Sequence, residues 1–185
     1  MSWDHHMPAC TPGGTPSPPG GGVSDPPAGE PFLDPPVATS VRNGDVVEVA
    51  VEARVGAPDV EGSTSTLLTY GGGFVAPVIR AKRGDLLRIH FTNSLPAVAS
   101  TNLLGHPRFV TNLHVHGLHV TPGTNPDGVA GDDVFRSVAA GGGNLDYEHD
   151  LSLQPAGSMG FYHPHMHGAV AEQIWGGMIG PIDVE

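Results

Sequence analysis

From residue 44 onward the chain runs in short stretches where apolar and polar residues alternate, each cut off by glycine, proline or an Asp/Asn turn. A period of two places apolar side chains on one face of an extended strand and polar ones on the other. Residues 45–54 (DVVEVAVEAR) show it best, and residues 74–82 form a second run. Arg83-Gly84-Asp85 then turns the chain into residues 86–93. Residues 109–120, 147–154, 159–163 and 178–184 complete the set. No stretch carries the apolar spacing of an amphipathic helix of three turns, and residues 169–175 have room for only one or two turns. Many short strands separated by glycine and proline turns predict an all-β sandwich or barrel.

Composition divides the chain. Its 185 residues include 27 glycines and 19 prolines, and much of the excess precedes residue 37. Residues 1–36 hold too little apolar surface to fold and read as a disordered tether, leaving 37–185 as the folded domain. His5 and His6 fall in the tether and are read as incidental. Cys10 is the single cysteine, so no internal disulfide and no cysteine-based zinc site can form. A net charge of -11 argues against nucleic acid or an acidic membrane face as partner. No run approaches the roughly 20 apolar residues of a transmembrane segment. The first residues, MSWDHHMP, lack the basic and apolar parts of a signal peptide. Either the protein stays inside the cell or its natural precursor starts further upstream.

Eleven histidines stand against eight lysines and arginines, and most lie between His106 and His167. Side chains at i and i+2 of a strand leave the same face about 6.5–7 Å apart. His114-Val115-His116 therefore aims two imidazoles one way and Val115 the other. His163-Pro164-His165 repeats the arrangement, with Pro164 marking an edge or strand end because it cannot donate to a ladder. Gly117 and Gly168 follow the two motifs and permit a sharp turn or a close backbone approach. On adjacent strands the pairs make four convergent nitrogen ligands, suited to copper, zinc, iron or nickel, with no thiolate to select a softer site. One His-X-His pair in a β protein is more often coincidence than ligand; two in one domain shift the balance to a metal site. Among the remaining histidines, His167 suits a supporting or surface place, His119 the rim, His149 a solvated strand and His90 a satisfied structural position. His106 falls in a loop. Met159, Met166 and Met178 read as packing residues.

The wider motifs carry a resemblance. Residues 111–119 (TNLHVHGLH) and 160–168 (GFYHPHMHG) resemble the first and second copper motifs of multicopper oxidases, the laccase and copper-efflux oxidase family. Residues 77–85, 147–151 and 172–185 resemble the connecting strands and the end of that family's first domain, so the likeness covers about residues 44–185. It implies a cupredoxin-like (plastocyanin-like) Greek-key β-sandwich. It also implies that His114 holds a type 2 copper, and that His116, His163 and His165 hold the type 3 pair, of a trinuclear cluster that reduces dioxygen to water. Among Asp127, Asp132 and Asp133, the resemblance favours Asp127 as a possible proton relay; a carboxylate fixing a turn is the plainer reading. Periplasmic or extracellular location is implied by the family alone.

The family's cluster needs eight histidines and a separate type 1 copper bound through cysteine. This chain offers four of the eight and no His-Cys-His segment. The leading expectation is thus half of an oxidase site, inactive alone and completed by further cupredoxin domains of the same enzyme or by another subunit, with an unknown reducing substrate. A non-enzymatic copper carrier is the alternative from another class. A mononuclear zinc site of hydrolytic type ranks last.

Overall fold

The alternation in residues 45–54 becomes the longest strand of the computed structural model, β2 (Val46–Gly56), with Val47, Val49, Val51 and Ala53 turned inward and buried. The structure describes residues 34–60 and 62–185, and a compact unit runs from Asp34 to Glu185. The tether reading, with His5, His6 and Cys10, falls outside the described residues except at 34–36. There the Pro36 carbonyl accepts the Val78 N–H at 2.7 Å.

Besides β2 the strands are β1 (Ser40–Asn43), β3 (Asp59–Val60), β4 (Ser63–Thr64), β5 (Leu67–Tyr70), β6 (Ile79–Ala81), β7 (Leu86–Asn93), β8 (His114–His116), β9 (Gly143–Asp150), β10 (Ser158–His163) and β11 (Gly180–Val184). One short helix, α1 (Val170–Trp175), precedes β11. The first sheet has the order β1-β2-β7-β9, with β5 also on β2; the second is β6-β11-β10-β8. The β2·β7 and β6·β11 pairs are parallel, and the others in the two sheets are antiparallel.

The two sheets close one core. Leu87, Ile89, Phe91 and Tyr147 of the first meet Ile79, Val115, Tyr162, Ile182 and Val184 of the second, all buried. Each such large apolar side chain contributes about 1.5–3 kcal/mol by leaving water. Tyr70 and Tyr162 join the layers with ring centroids 5.1 Å apart, and the Tyr162 hydroxyl donates to the Pro77 carbonyl at 2.7 Å.

Several expected strands are shorter. In residues 74–82 only Ile79–Ala81 is extended, because Phe74 and Val75 stand exposed in a bend after the tight turn at Gly71 and Gly72. In residues 109–120 only β8 forms, since Gly117 takes a φ of +81° and turns the chain away. The run 147–154 instead starts earlier, at Gly143, and stops at Asp150, whose carboxylate accepts the Ser152 N–H at 2.8 Å. The one or two helical turns expected in 169–175 are α1. His149 corrects the solvated-strand reading: strand parity puts it inside β9 beside Tyr147, only 1% exposed. His90 lies on the outer side of β7, exposed and bonded to Asp146 at 2.9 Å.

Candidate metal centre

Strands β8 and β10 run antiparallel with His114 opposite His163. Val115 points into the core, 2% exposed, so His114 and His116 leave β8 on its outer face, on the edge strand of the second sheet. Ligand atoms of His114, His116 and His163 all lie within 4.8 Å of one another, the only such group of His, Cys, Asp and Glu among the described residues. His165 arrives differently. Pro164 has no N–H, β10 ends at His163, and the His165 N–H donates instead to the Asn112 side-chain oxygen at 2.7 Å. Buried Asn112 also donates its Nδ2 to the Val134 carbonyl at 2.7 Å. The His165 ring is thereby held with its centroid 5.1 Å from that of His114 and 6.3 Å from that of His163.

Hydrogen bonds orient the rings. His114 Nδ1 lies 2.8 Å from an Asp132 oxygen that also accepts the Val115 N–H at 3.1 Å. Burial pushes the Asp132 carboxyl up, but the bonds from His114 and Val115 outweigh it and hold the group below the ordinary aspartate range. An ionised carboxylate only accepts, so His114 Nδ1 carries the proton and Nε2 keeps its lone pair. His163 repeats the logic with a backbone acceptor, Nδ1 donating to the Pro164 carbonyl at 2.8 Å. Burial, with the neighbouring imidazoles, lowers the His163 pKa and favours the neutral ring. Phe161 stacks on His116 (centroids 4.5 Å apart, planes at 11°) and also on His163 (5.3 Å, 25°). His165 Nδ1 is buried and has no hydrogen-bond partner.

This donor set fits copper. It offers imidazole nitrogens without thiolate, at two positions with an Nδ1 hydrogen bond that orients the ring, and one buried nitrogen still lacking a partner. Zinc accepts the same ligands, so the donor set by itself selects imidazole-binding metals rather than one ion.

Other residues fall outside the cluster. Asp127 is exposed and its carboxylate accepts the Val129 N–H at 3.0 Å, which fixes its own turn. The carboxylate touching a motif histidine is Asp132 rather than Asp127. Its position relative to His114 is set by a loop whose path the sequence does not display. Asp133 bonds Thr124 and pairs with Arg136. Asn112 and Gln173 received no role from the sequence. Gln173 of α1 is buried, accepts from the Thr111 hydroxyl at 2.8 Å and donates to the Val110 carbonyl at 3.1 Å, pinning the segment before β8. Strand parity places Asn112, two residues before His114, on the face that carries the histidines, and that is the signal that could have found it. His119 and His106 are exposed, and His167, also exposed, has its ring 5.7 Å from His165. Met178 packs in the core, whereas Met159 is 75% exposed and does not.

Residues 52–185 match the family profile described as multicopper oxidase. Copper resistance protein A of Pseudomonas syringae pv. tomato is 29% identical over 127 residues, 69% of this chain and 17% of the relative. Laccase-4 of Thanatephorus cucumeris is 30% identical over 149 residues, 80% of this chain and 24% of the relative. The chain thus spans a quarter or less of these relatives. Among solved structures, the fold matches a laccase from Pediococcus acidilactici with a TM-score of 0.65 at 24% identity, covering 84% of this chain and 30% of that one. A multicopper oxidase described as a metallo-oxidase, from Campylobacter jejuni, matches at 0.63 and 23% identity, over 83% and 29%. The sandwich is the cupredoxin-like domain of such proteins.

Proposed function

We propose that this chain, which belongs to the multicopper oxidase family, supplies half of a trinuclear copper cluster through His114, His116, His163 and His165. The observation that carries the reading is the gathering of His114, His116 and His163 within 4.8 Å across two strands, with His165 drawn in beside them. In the assignment that the motifs support, His114 serves the type 2 copper and His116, His163 and His165 the type 3 pair. Copper held there would supply the redox centre at which dioxygen is reduced to water.

The chain's own residues bind and orient. Asp132 holds His114 with Nε2 free, the Pro164 carbonyl does the same for His163, and Phe161 keeps the rings of His116 and His163 in plane. Asp132 stands closer to the cluster than exposed Asp127, and its lowered pKa keeps it an acceptor that orients the His114 ring. The remaining ligands and the type 1 copper come from further cupredoxin domains of the same enzyme or from another subunit. The open outer face on edge strand β8 suits such a completion. The reducing substrate belongs to that other part.

The 185-residue chain alone is expected to bind copper weakly and to consume negligible oxygen with a phenolic or cuprous substrate. Robust turnover by this chain would overturn the half-site reading, as would copper binding that is indifferent to the pair His114→Asn and His163→Asn.

A further inference from the structure

Beside the four-histidine face lies a cavity of about 120 Å³ lined by His106, Val134, Phe135, Met166 and His167. Three of these five side chains bring metal donors, two imidazoles and a thioether; the other two are apolar, and no carboxylate takes part. The volume exceeds the roughly 10–15 Å³ that one water-sized occupant needs. None of the three donors belongs to the cluster described above.

The two histidine-bearing loops are tied together by a single side chain. The Asn102 amide oxygen accepts the N–H groups of Leu104 (3.0 Å) and His106 (3.1 Å), and its nitrogen donates to the His167 carbonyl at 3.4 Å. Gly168 makes this approach possible. It sits at a φ of +83°, and a Cβ there would lie 2.9 Å from the Asn102 amide. Arg108, at the end of the same loop, bonds Glu172 of α1. The donors are therefore presented by braced loops.

We propose that His106, Met166 and His167 form a binding site for Cu(I), from which the ion passes to the four-histidine face. A thioether with two imidazoles suits a soft monovalent d10 ion, and a hard or carboxylate-seeking cation finds no matching donor there. The His167 ring is 5.7 Å from His165, whose Nδ1 is buried without a partner. Transfer is a ligand exchange: the bonds to the Met166 thioether and to the His106 and His167 imidazoles break as bonds to the imidazoles of the four-histidine face form, and no electron moves. The delivery role rests on the copper reading of the main site; the binding does not.

The test uses Ag(I) as a redox-inert probe of the same ligand preference, added to the full chain carrying Cys10→Ser so that the single thiol does not capture the ion. Methyl resonances of the methionines report binding, with Met166 identified by Met166→Leu. The Met166 methyl should move saturably with Ag(I), and His106→Gln with His167→Gln should weaken that response about tenfold or more. The response should survive His114→Asn with His163→Asn, a variant that abolishes the main site instead. A well-dispersed spectrum verifies folding in each case. A Met166 methyl indifferent to Ag(I) sinks the proposal, and so does a response that persists in the His106/His167 variant. Failure of the oxidase reading shows separately, in oxygen consumption and in copper binding at His114 and His163.

Discussion

The two His-X-His motifs share a spacing but reach the same face by different physics. The first lies wholly on β8, where strand parity alone sends His114 and His116 outward and Val115 inward. The second straddles the end of β10: His163 is a strand residue, whereas His165 depends on Asn112 to capture its backbone N–H. A regular strand needs only its ladder to aim two ligands. A motif broken by proline needs a buried polar residue from elsewhere, and the cost of losing that residue is correspondingly local.

The largest expected effect concerns the interior behind the first motif. His149 is buried without a hydrogen-bond partner, close enough to Asp132 and His114 for their charges to act on it, and burial pushes its pKa down to about 4. An unfolded histidine titrates near 6.5, so the unfolded chain takes up this proton first as the pH falls. The contribution is fully present above about pH 6.5, is lost toward about pH 4, and amounts to about 3 kcal/mol. Urea unfolding of the metal-free chain across that range should show the loss, and His149→Leu should flatten it; an equally steep profile in the variant would remove His149 as the cause.

Asn112→Ala should come next, at about 2 kcal/mol, because it strips partners from the His165 N–H and the Val134 carbonyl. The comparison predicts an uneven result: NMR shifts should scatter at His165 while His114 and His116 stay put. Equal disturbance of both motifs would mean that they are one unit. Asp132→Asn should reduce copper affinity about tenfold or more by loosening the tautomer of His114, measured by competition with a chelator. Smallest of all, Asp127→Asn should leave both stability and copper binding within about 0.5 kcal/mol, as a surface change does; a large loss of affinity there would give Asp127 a part in holding the metal.

Much of the sandwich was legible because β2 and β7 bury one face each and alternate accordingly. The edges were not. Strand β1 is exposed along its whole length and β5 has no clean alternation, so neither advertises a buried face. The histidine pairs were visible because their geometry is set by neighbours two residues away. Their supports were not, because Asp132, Asn112 and Gln173 act across 18, 53 and 62 residues of chain. The burial of His149 was hidden for a related reason. Its charged neighbours Glu148 and Asp150 suggested solvent, while strand parity, read from Tyr147, pointed inward.

Asp132 also blunts the free border of the second sheet. Its carboxylate occupies the Val115 N–H, a backbone donor that an edge strand otherwise leaves open to any passing chain, and Gly117 ends that strand after three residues. Exposed strand borders are where proteins stick to one another, and short, already-bonded ones resist it. A domain whose histidine-bearing face lies at an open sheet border thereby denies strangers a template. Asp132 is then a guard against aggregation as much as a brace for His114.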